Sequence, residues 1–187
     1  MGVNQEDPGG AANAARVPFV IADRWGVRDD EVARHYPCDD FLARPTLSAW
    51  RGVIVHAPAE RLWQWIGQIR LAPYSYDWID NLGRRAPQEL RGLPEPTVGE
   101  RFTIGMGRPA GRIVAVTPGA ALTATILGAF MSYVIVPEAG GNHLLLKVVA
   151  GGPRLLAPFV SVGDLVMARR QLLNIKRLAE ASPRRRF

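Results

Sequence analysis

Few side chains of this sequence stand in a pattern that serves a known chemistry. Histidine titrates near neutral pH, so His35, His56 and His143 are the first candidates for a general base. None has a nucleophile beside it in the sequence, and we expect all three to be ordinary surface residues. The single cysteine, Cys38, precedes two aspartates, whose negative charge raises the pKa of a thiol rather than lowering it. We therefore expect Cys38 to be unreactive.

Two further patterns resemble functional motifs but lack their spacing. Gly105, Gly107 and Gly111 resemble a nucleotide-binding loop, yet their spacing differs and a strand rather than a helix follows them. Aspartate pairs at positions 39 and 40 and at positions 77 and 80 are of a kind that is common in loops and helix starts. The sequence has no cysteine–histidine cluster. We predict no metal site and no cofactor, and we assign no catalytic residue.

The most unusual stretch is aromatic. Tyr74, Tyr76 and Trp78 fall within five residues of a chain that is 8% aromatic, and Asp77 lies among them. One interpretation places these residues at the mouth of a binding site, with Asp77 as a polar contact. The other makes Trp78 and one tyrosine part of the core and Asp77 a local cap or the partner of an arginine. Aromatic side chains are more often core than ligand contacts, and both interpretations stay open.

Hydrophobic periodicity predicts the elements that would position these residues. A first strand is expected over residues 47–56 and a helix after Pro58. Five strands are expected over residues 101–106, 112–117, 121–127, 130–136 and 142–150, and the short gaps between them favour antiparallel hairpins. A long helix comes last, capped by Asp164, with an apolar stripe formed by Leu165, Ala168, Leu172, Ile175 and Ala179.

This order of elements predicts an α+β fold in which a curved antiparallel sheet wraps around the C-terminal helix. Residues 23–48 are interpreted as an arm on the main body, in which acidic residues 29–31 open a short helix that ends before Pro37. We expect a disordered tail over residues 1–22, a single domain over residues 23–181 and a basic tail over residues 182–187.

Composition excludes several classes of protein. The net charge is +6, and every basic residue except Lys147 and Lys176 is an arginine. These residues do not cluster, apart from a run over residues 184–186, so we predict no nucleic-acid binding and expect Arg169 and Arg170 to be solvated. Residues 113–137 carry no charge, but a Pro-Gly turn divides them into two strands rather than a membrane span. A lone cysteine and no signal-peptide pattern favour a cytoplasmic protein.

Three stretches resemble an uncharacterised bacterial branch of the START/Bet v 1-like (SRPBCC) superfamily, among the polyketide cyclase/dehydrase-like proteins. They are residues 25–33, residues 74–85, and residues 163–173 with 175–177. The likeness covers about residues 23–180, and the middle stretch is the most specific. Relatives often carry a glycine-rich, aromatic insertion before that stretch. This chain runs directly from Pro73 into Tyr74, so the mouth of its pocket is expected to differ.

The resemblance implies the helix-grip fold, with a deep, mostly apolar cavity between the sheet and the long helix. No catalytic residue can be transferred, because this branch has no settled catalytic motif. Along the last strand, Lys147 is expected to face water, so Leu144 and Leu146 should face inward. The family pattern likewise places Met131, Tyr133 and Ile135, which share one face of their strand, toward the cavity.

We predict that the cavity binds a small hydrophobic molecule, such as a lipid, a polyketide-like compound or a terpenoid. An alternative is a cyclase, aromatase or dehydratase, which would need a buried titratable pair. A second alternative is an interaction protein with a filled core and a cavity well under about 300 Å³. The oligomeric state stays open. The predicted ligand contacts are Tyr74, Tyr76, Asp77, Trp78, Met131, Tyr133, Ile135, Leu144, Leu146, Met167 and Gln171.

Overall fold

The structure, a computed structural model, describes residues 23–76, 82–83, 85–105, 107–152 and 157–181, with the backbone alone for residues 157–165. Short elements come first, followed by a run of strands and a long helix. The order is β1 (Arg24–Trp25), α1 (Asp29–Ala33), a 3-10 helix (Pro37–Phe41), β2 (Leu47–Val55), α2 (Ala59–Gly67), a second 3-10 helix (Gln68–Arg70), β3 (Arg101–Gly105), β4 (Arg108–Thr117), β5 (Ala121–Ile126), β6 (Ala129–Glu138), β7 (Gly141–Ala150) and α3 (Ala157–Glu180).

The seven strands form one curved sheet in the order β1-β2-β7-β6-β5-β4-β3. All neighbours are antiparallel except β1 and β2. The uncharged stretch of residues 113–137 crosses three strands, β4, β5 and β6, rather than the two expected from the Pro-Gly turn, and that turn lies between β4 and β5. None of the helices described is long and apolar enough to cross a bilayer. The predicted α+β helix-grip fold is confirmed.

Helices α2 and α3 cover the inner face of the sheet. Leu62 and Ile66 of α2 and Leu172 and Ile175 of α3 are buried in one core with the inner residues of β6 and β7. The predicted stripe on the last helix is confirmed where its side chains are described. The predicted cap at Asp164 is wrong, because α3 begins at Ala157. Proline is tolerated in the first turn of a helix, so Pro158 allows this earlier start.

The outer face of the sheet is covered by the arm formed by residues 23–41. Lys147, expected to face water, is only 8% exposed; its Nζ atom lies 2.6 Å from Asp39 Oδ1 and 5.0 Å from the centre of the Trp50 ring. His143, expected at the surface, is 3% exposed and hydrogen-bonds through Nδ1 to Glu31 Oε1 at 2.6 Å. Both expectations of exposure are wrong, because the arm supplies carboxylates that pair with the outward side chains of β7.

The arm approaches β2 closely at two glycines. A Cβ atom added to Gly52 would lie 2.4 Å from the carbonyl oxygen of Gly26 and 2.6 Å from His143 Nε2. A Cβ atom added to Gly26 would lie 2.2 Å from the carbonyl oxygen of Gly52, and Gly26 also has a positive φ of 67°. Real Cβ atoms do not approach backbone oxygen this closely. The docking of the arm therefore requires glycine at both positions.

We expect Gly52→Ala to lower the free energy of unfolding by about 1–3 kcal/mol, because the added methyl group forces the arm away from β2. Gly151→Ala is the matched control, since a Cβ atom there meets nothing within 4 Å. Urea denaturation of both variants measures the difference. Equal stability of the two variants would show that the arm is not packed against β2 as described.

Cys38 is fully buried between the arm and the sheet. Its backbone N–H donates a hydrogen bond to Ser132 Oγ at 2.8 Å. Burial is the main cause that raises the pKa of the Cys38 thiol to about 11, and the charge of Asp39 adds to it. The predicted low reactivity thus has a stronger cause than the neighbouring aspartates, which were its basis in the sequence.

Cys38 should react with a soluble disulfide reagent at pH 8 at least about a hundredfold more slowly in the native protein than in urea. At pH 8 a thiol with a pKa of about 11 has about a hundredfold less thiolate than the unfolded thiol, and burial adds a steric barrier. Because the unfolded thiol ionises while the buried thiol of Cys38 stays neutral, the free energy of unfolding should fall between pH 9 and 11. Fast labelling of the native protein would contradict this placement of Cys38.

Candidate functional site

A cavity of about 200 Å³ lies between α3 and the inner face of the sheet. Strands β3, β5, β6 and β7 form its floor, and residues 73–76, which we call the strap, close one side. Hydrophobic side chains dominate the wall. The lining residues are Pro73, Ser75, Phe102, Thr103, Ile104, Gly105, Ile126, Met131, Tyr133, Leu146, Val148, Met167, Ala168 and Gln171.

The polar groups of the cavity are largely satisfied within the protein. The Tyr133 hydroxyl donates a hydrogen bond to Gln171 Oε1 at 2.6 Å. Gln171 Nε2 donates in turn to the carbonyl oxygen of Pro73, also at 2.6 Å. Thr103 Oγ1 donates to the carbonyl oxygen of Ile69 at 2.8 Å. Because these bonds are already made, the cavity presents mainly apolar surface to an occupant.

Five of the predicted ligand contacts line this cavity, namely Met131, Tyr133, Leu146, Met167 and Gln171. Ile135 and Leu144 face the same side of the sheet but are buried in the core away from the cavity. Asp77 and Trp78 lie outside the described residues. Tyr74 and Tyr76 line a separate cleft beside the strap.

Tyr74 packs as a core residue. Its ring meets that of Trp65 edge to face, with 5.9 Å between the ring centres. Its hydroxyl accepts a hydrogen bond from Gln68 Nε2 at 2.7 Å, and Asn174 Nδ2 donates to its carbonyl oxygen at 2.8 Å. The backbone φ of Tyr74 is +58°, which is uncommon for a residue other than glycine. These contacts fix the turn of the strap and agree with the interpretation of Tyr74 as core.

The cavity offers little acid–base chemistry. Among its described lining residues Tyr133 alone is titratable, and its partner Gln171 is a neutral amide. General acid–base catalysis needs a group that exchanges a proton near the working pH. The described lining of the cavity therefore offers one titratable side chain and no pair of acid and base.

Several lining residues of the cavity were not predicted from the sequence. Val148 carried a usable signal, since it follows Leu144 and Leu146 at a spacing of two on the inward face of β7. Phe102 and Thr103 carried no such signal, because nothing in the local sequence indicates that β3 lies beside the cavity. The positions of Pro73 and Ser75 depend on the strap, which is held by hydrogen bonds from α3.

A second cluster of titratable side chains lies under the arm. Ligand atoms of Glu31, Glu138 and His143 come within 4.8 Å of one another, a spacing that would suit a metal ion. Arg28 already bridges the two carboxylates, with Nη2 lying 2.7 Å from Glu31 Oε1 and 2.6 Å from Glu138 Oε1. The guanidinium group thus supplies the positive charge that this site needs, and the cluster fastens the arm to the sheet.

Comparison with known proteins identifies the fold. No family profile matches the chain, and no curated protein matches it. A solved structure from Rhodobacter sphaeroides is 18% identical, covers 71% of this chain and 90% of its own, and has a TM-score of 0.50. One from Nitrosomonas europaea is 11% identical, with coverages of 72% and 94% and a TM-score of 0.50. The chain shares the fold of these two proteins.

A third solved structure, a protein from Corynebacterium glutamicum described as Polyketide_cyc-like, is 12% identical with a TM-score of 0.46; it covers 71% of this chain and 91% of its own. Matches at these identities concern the fold alone. The two matches with a TM-score of 0.50 agree with the helix-grip fold of the structure. The cavity lies where that architecture places it, between the sheet and the C-terminal helix.

Tyr133→Phe should lower the free energy of unfolding by about 1–2 kcal/mol, because it leaves the buried oxygen of Gln171 without this donor. Adding Gln171→Leu should cost less than the sum of the two single changes, since the two side chains are partners. Tyr76→Phe is the control, as Tyr76 is only half-buried. Urea denaturation of the four variants gives the coupling. Strict additivity would contradict the Tyr133–Gln171 hydrogen bond.

Proposed function

We propose that this protein binds a small hydrophobic molecule in the cavity between the sheet and α3. The observation that carries the proposal is the wall itself, whose side chains are apolar apart from a few polar groups that are bonded to protein atoms. An apolar molecule entering such a cavity gains the hydrophobic term and leaves few polar groups unpaired. Small-molecule sites in general combine this kind of wall with a small number of fixed polar groups.

The size of the cavity restricts the occupant. About 200 Å³ is below the range of about 300–1,000 Å³ that is usual for ligand pockets. The proposal therefore favours a short acyl chain or a small terpenoid over a whole lipid. Met131 and Met167 are half-buried in the wall, and the flexible side chain of methionine adapts readily to the shape of an occupant.

An enzyme of the cyclase, aromatase or dehydratase kind is the second candidate. Its support is the resemblance of the sequence to polyketide cyclase/dehydrase-like proteins. Such an enzyme would use the same cavity to fold a reactive chain, with Tyr133 as its titratable group. The neutral Gln171 beside Tyr133 favours binding without turnover, because a buried pair of acid and base would otherwise be expected there.

A filled core is the third candidate, and the modest volume of the cavity favours it. Under this reading the space between the sheet and α3 is a packing defect, and the protein acts through its surface. The two binding candidates and this one differ in a simple observable, namely whether any small apolar molecule stabilises the fold.

Binding is tested by native mass spectrometry of the protein purified from its own host, and by melting curves with a panel of short-chain alcohols, terpenoids and polyketide-like aromatic compounds. We expect a retained small molecule or a rise in melting temperature of several degrees at saturation. Val148→Phe, which places a ring in the cavity, should remove this rise, and Val98→Phe, at a site 63% exposed, should not.

A protein that carries no molecule and whose melting temperature no compound shifts would contradict the proposal and favour the filled core. Chemical change of a bound polyketide-like compound, lost in Tyr133→Phe, would favour the enzyme instead.

A further inference from the structure

A second cleft, of about 220 Å³, lies beside the strap and is lined by three arginines, Arg85, Arg170 and Arg177. We call it the arginine cleft. Ser75 lines both this cleft and the apolar cavity, so the two spaces adjoin at the strap. The remaining described lining residues are Tyr74, Tyr76, Ala86, Gln88, Asn174 and Leu178, and none of them carries a negative charge.

Local structure brings the three arginines together. Arg170 and Arg177 lie seven positions apart on α3, which places them on one face two turns from each other. Asn174 lies between them on that face and donates its hydrogen bond to the carbonyl oxygen of Tyr74, so the strap is fixed against the helix there. Arg85 comes from the opposite wall, where Gln88 Oε1 accepts a hydrogen bond from Arg177 Nη2 at 2.7 Å.

Three arginines outside the arginine cleft are neutralised by carboxylates. Arg24 pairs with Asp29, Arg28 pairs with Glu31 and Glu138, and Arg70 pairs with Glu100. In the described part of the chain no carboxylate lies within 4 Å of the guanidinium groups of the arginine cleft.

Arg170 instead lies over the ring of Tyr76, with 5.8 Å between its guanidinium carbon and the ring centre. Three like charges that line one cleft repel one another, and an anion placed among them relieves that repulsion. Arg170 is exposed, as expected, but solvation alone does not explain why it shares one cleft with two other arginines.

We propose that the arginine cleft binds an oxyanion, the carboxylate or phosphate group of a small molecule. Guanidinium groups present paired N–H donors that match the geometry of both groups. Two sources of the anion are compatible with this arrangement. One is the head group of an amphipathic molecule whose apolar part occupies the adjoining cavity, and the other is a free anion. This inference does not depend on the proposed function, because an oxyanion can bind to the arginine cleft with the cavity empty.

The test is isothermal titration calorimetry at low ionic strength with inorganic phosphate, octyl phosphate, octanoate and octanol. We expect phosphate-bearing or carboxylate-bearing probes to bind to the unaltered protein, and more weakly as salt is added. Arg170→Ala and Arg177→Ala should each weaken their binding about tenfold, because each removes charge-assisted hydrogen bonds. Arg170→Lys should retain part of the affinity, since it keeps the charge but loses the paired donors.

Arg169→Ala is the matched control. Arg169 is exposed and adjacent to Arg170, yet it contacts the ring of Trp25 and does not line the arginine cleft. The substitution Arg169→Ala removes one positive charge from the same helix and should leave the affinity for anions within twofold of that of the unaltered protein. Melting curves check that each variant is folded, which is expected because all of the altered arginines are exposed.

The two sources give different results. Octyl phosphate that binds at least tenfold more tightly than inorganic phosphate, with octanol as a competitor, supports a head group. Equal affinities for octyl phosphate and inorganic phosphate support a free anion. Failure of every anion to bind overturns the proposal. An equal loss of affinity in Arg169→Ala and Arg170→Ala also overturns the proposal, because the net charge of the protein would then explain anion binding.

Discussion

Gln171 uses both ends of its side-chain amide inside the protein. Its oxygen accepts a hydrogen bond from Tyr133 on the sheet, and its nitrogen donates one to Pro73 in the strap. One side chain of α3 therefore joins the helix, the sheet and the loop that closes the cavity. Without it the strap would lose one of its hydrogen bonds from α3, and the Tyr133 hydroxyl would lose this acceptor. The apolar character and the shape of the cavity both depend on this residue.

The same helix separates two environments. Gln171 faces the cavity, whereas Arg170 and Asn174, on either side of it along α3, face the arginine cleft. The boundary between the two is the strap, whose turn at Tyr74 has a positive φ and is held by Asn174 and by the side-chain contact with Gln68. A small molecule that is anionic at one end and apolar at the other would meet arginine side chains on one side of this boundary and an apolar wall on the other.

Sequence periodicity predicted the strands and the inward faces of β6 and β7, because alternation along a strand is a local property. Tyr133 and Leu146 could therefore be placed in the wall. The burial of His143 and Lys147 could not be predicted, because their partners Glu31 and Asp39 come from an arm more than a hundred residues away. The volume of the cavity also escaped prediction, since it depends on how side chains from β3, the strap and α3 fill one space.

The arm has a further consequence for the way in which the protein is made. Glu31 is synthesised 112 residues before its partner His143, and Asp39 precedes Lys147 by 108. During synthesis Glu31 and Asp39 have no partners on β7 until that strand has left the ribosome and paired with β2. The loops that these contacts close are long, and closing them costs more conformational entropy than forming a local helix. The contacts between the arm and β7 thus form late, although the residues of the arm emerge first.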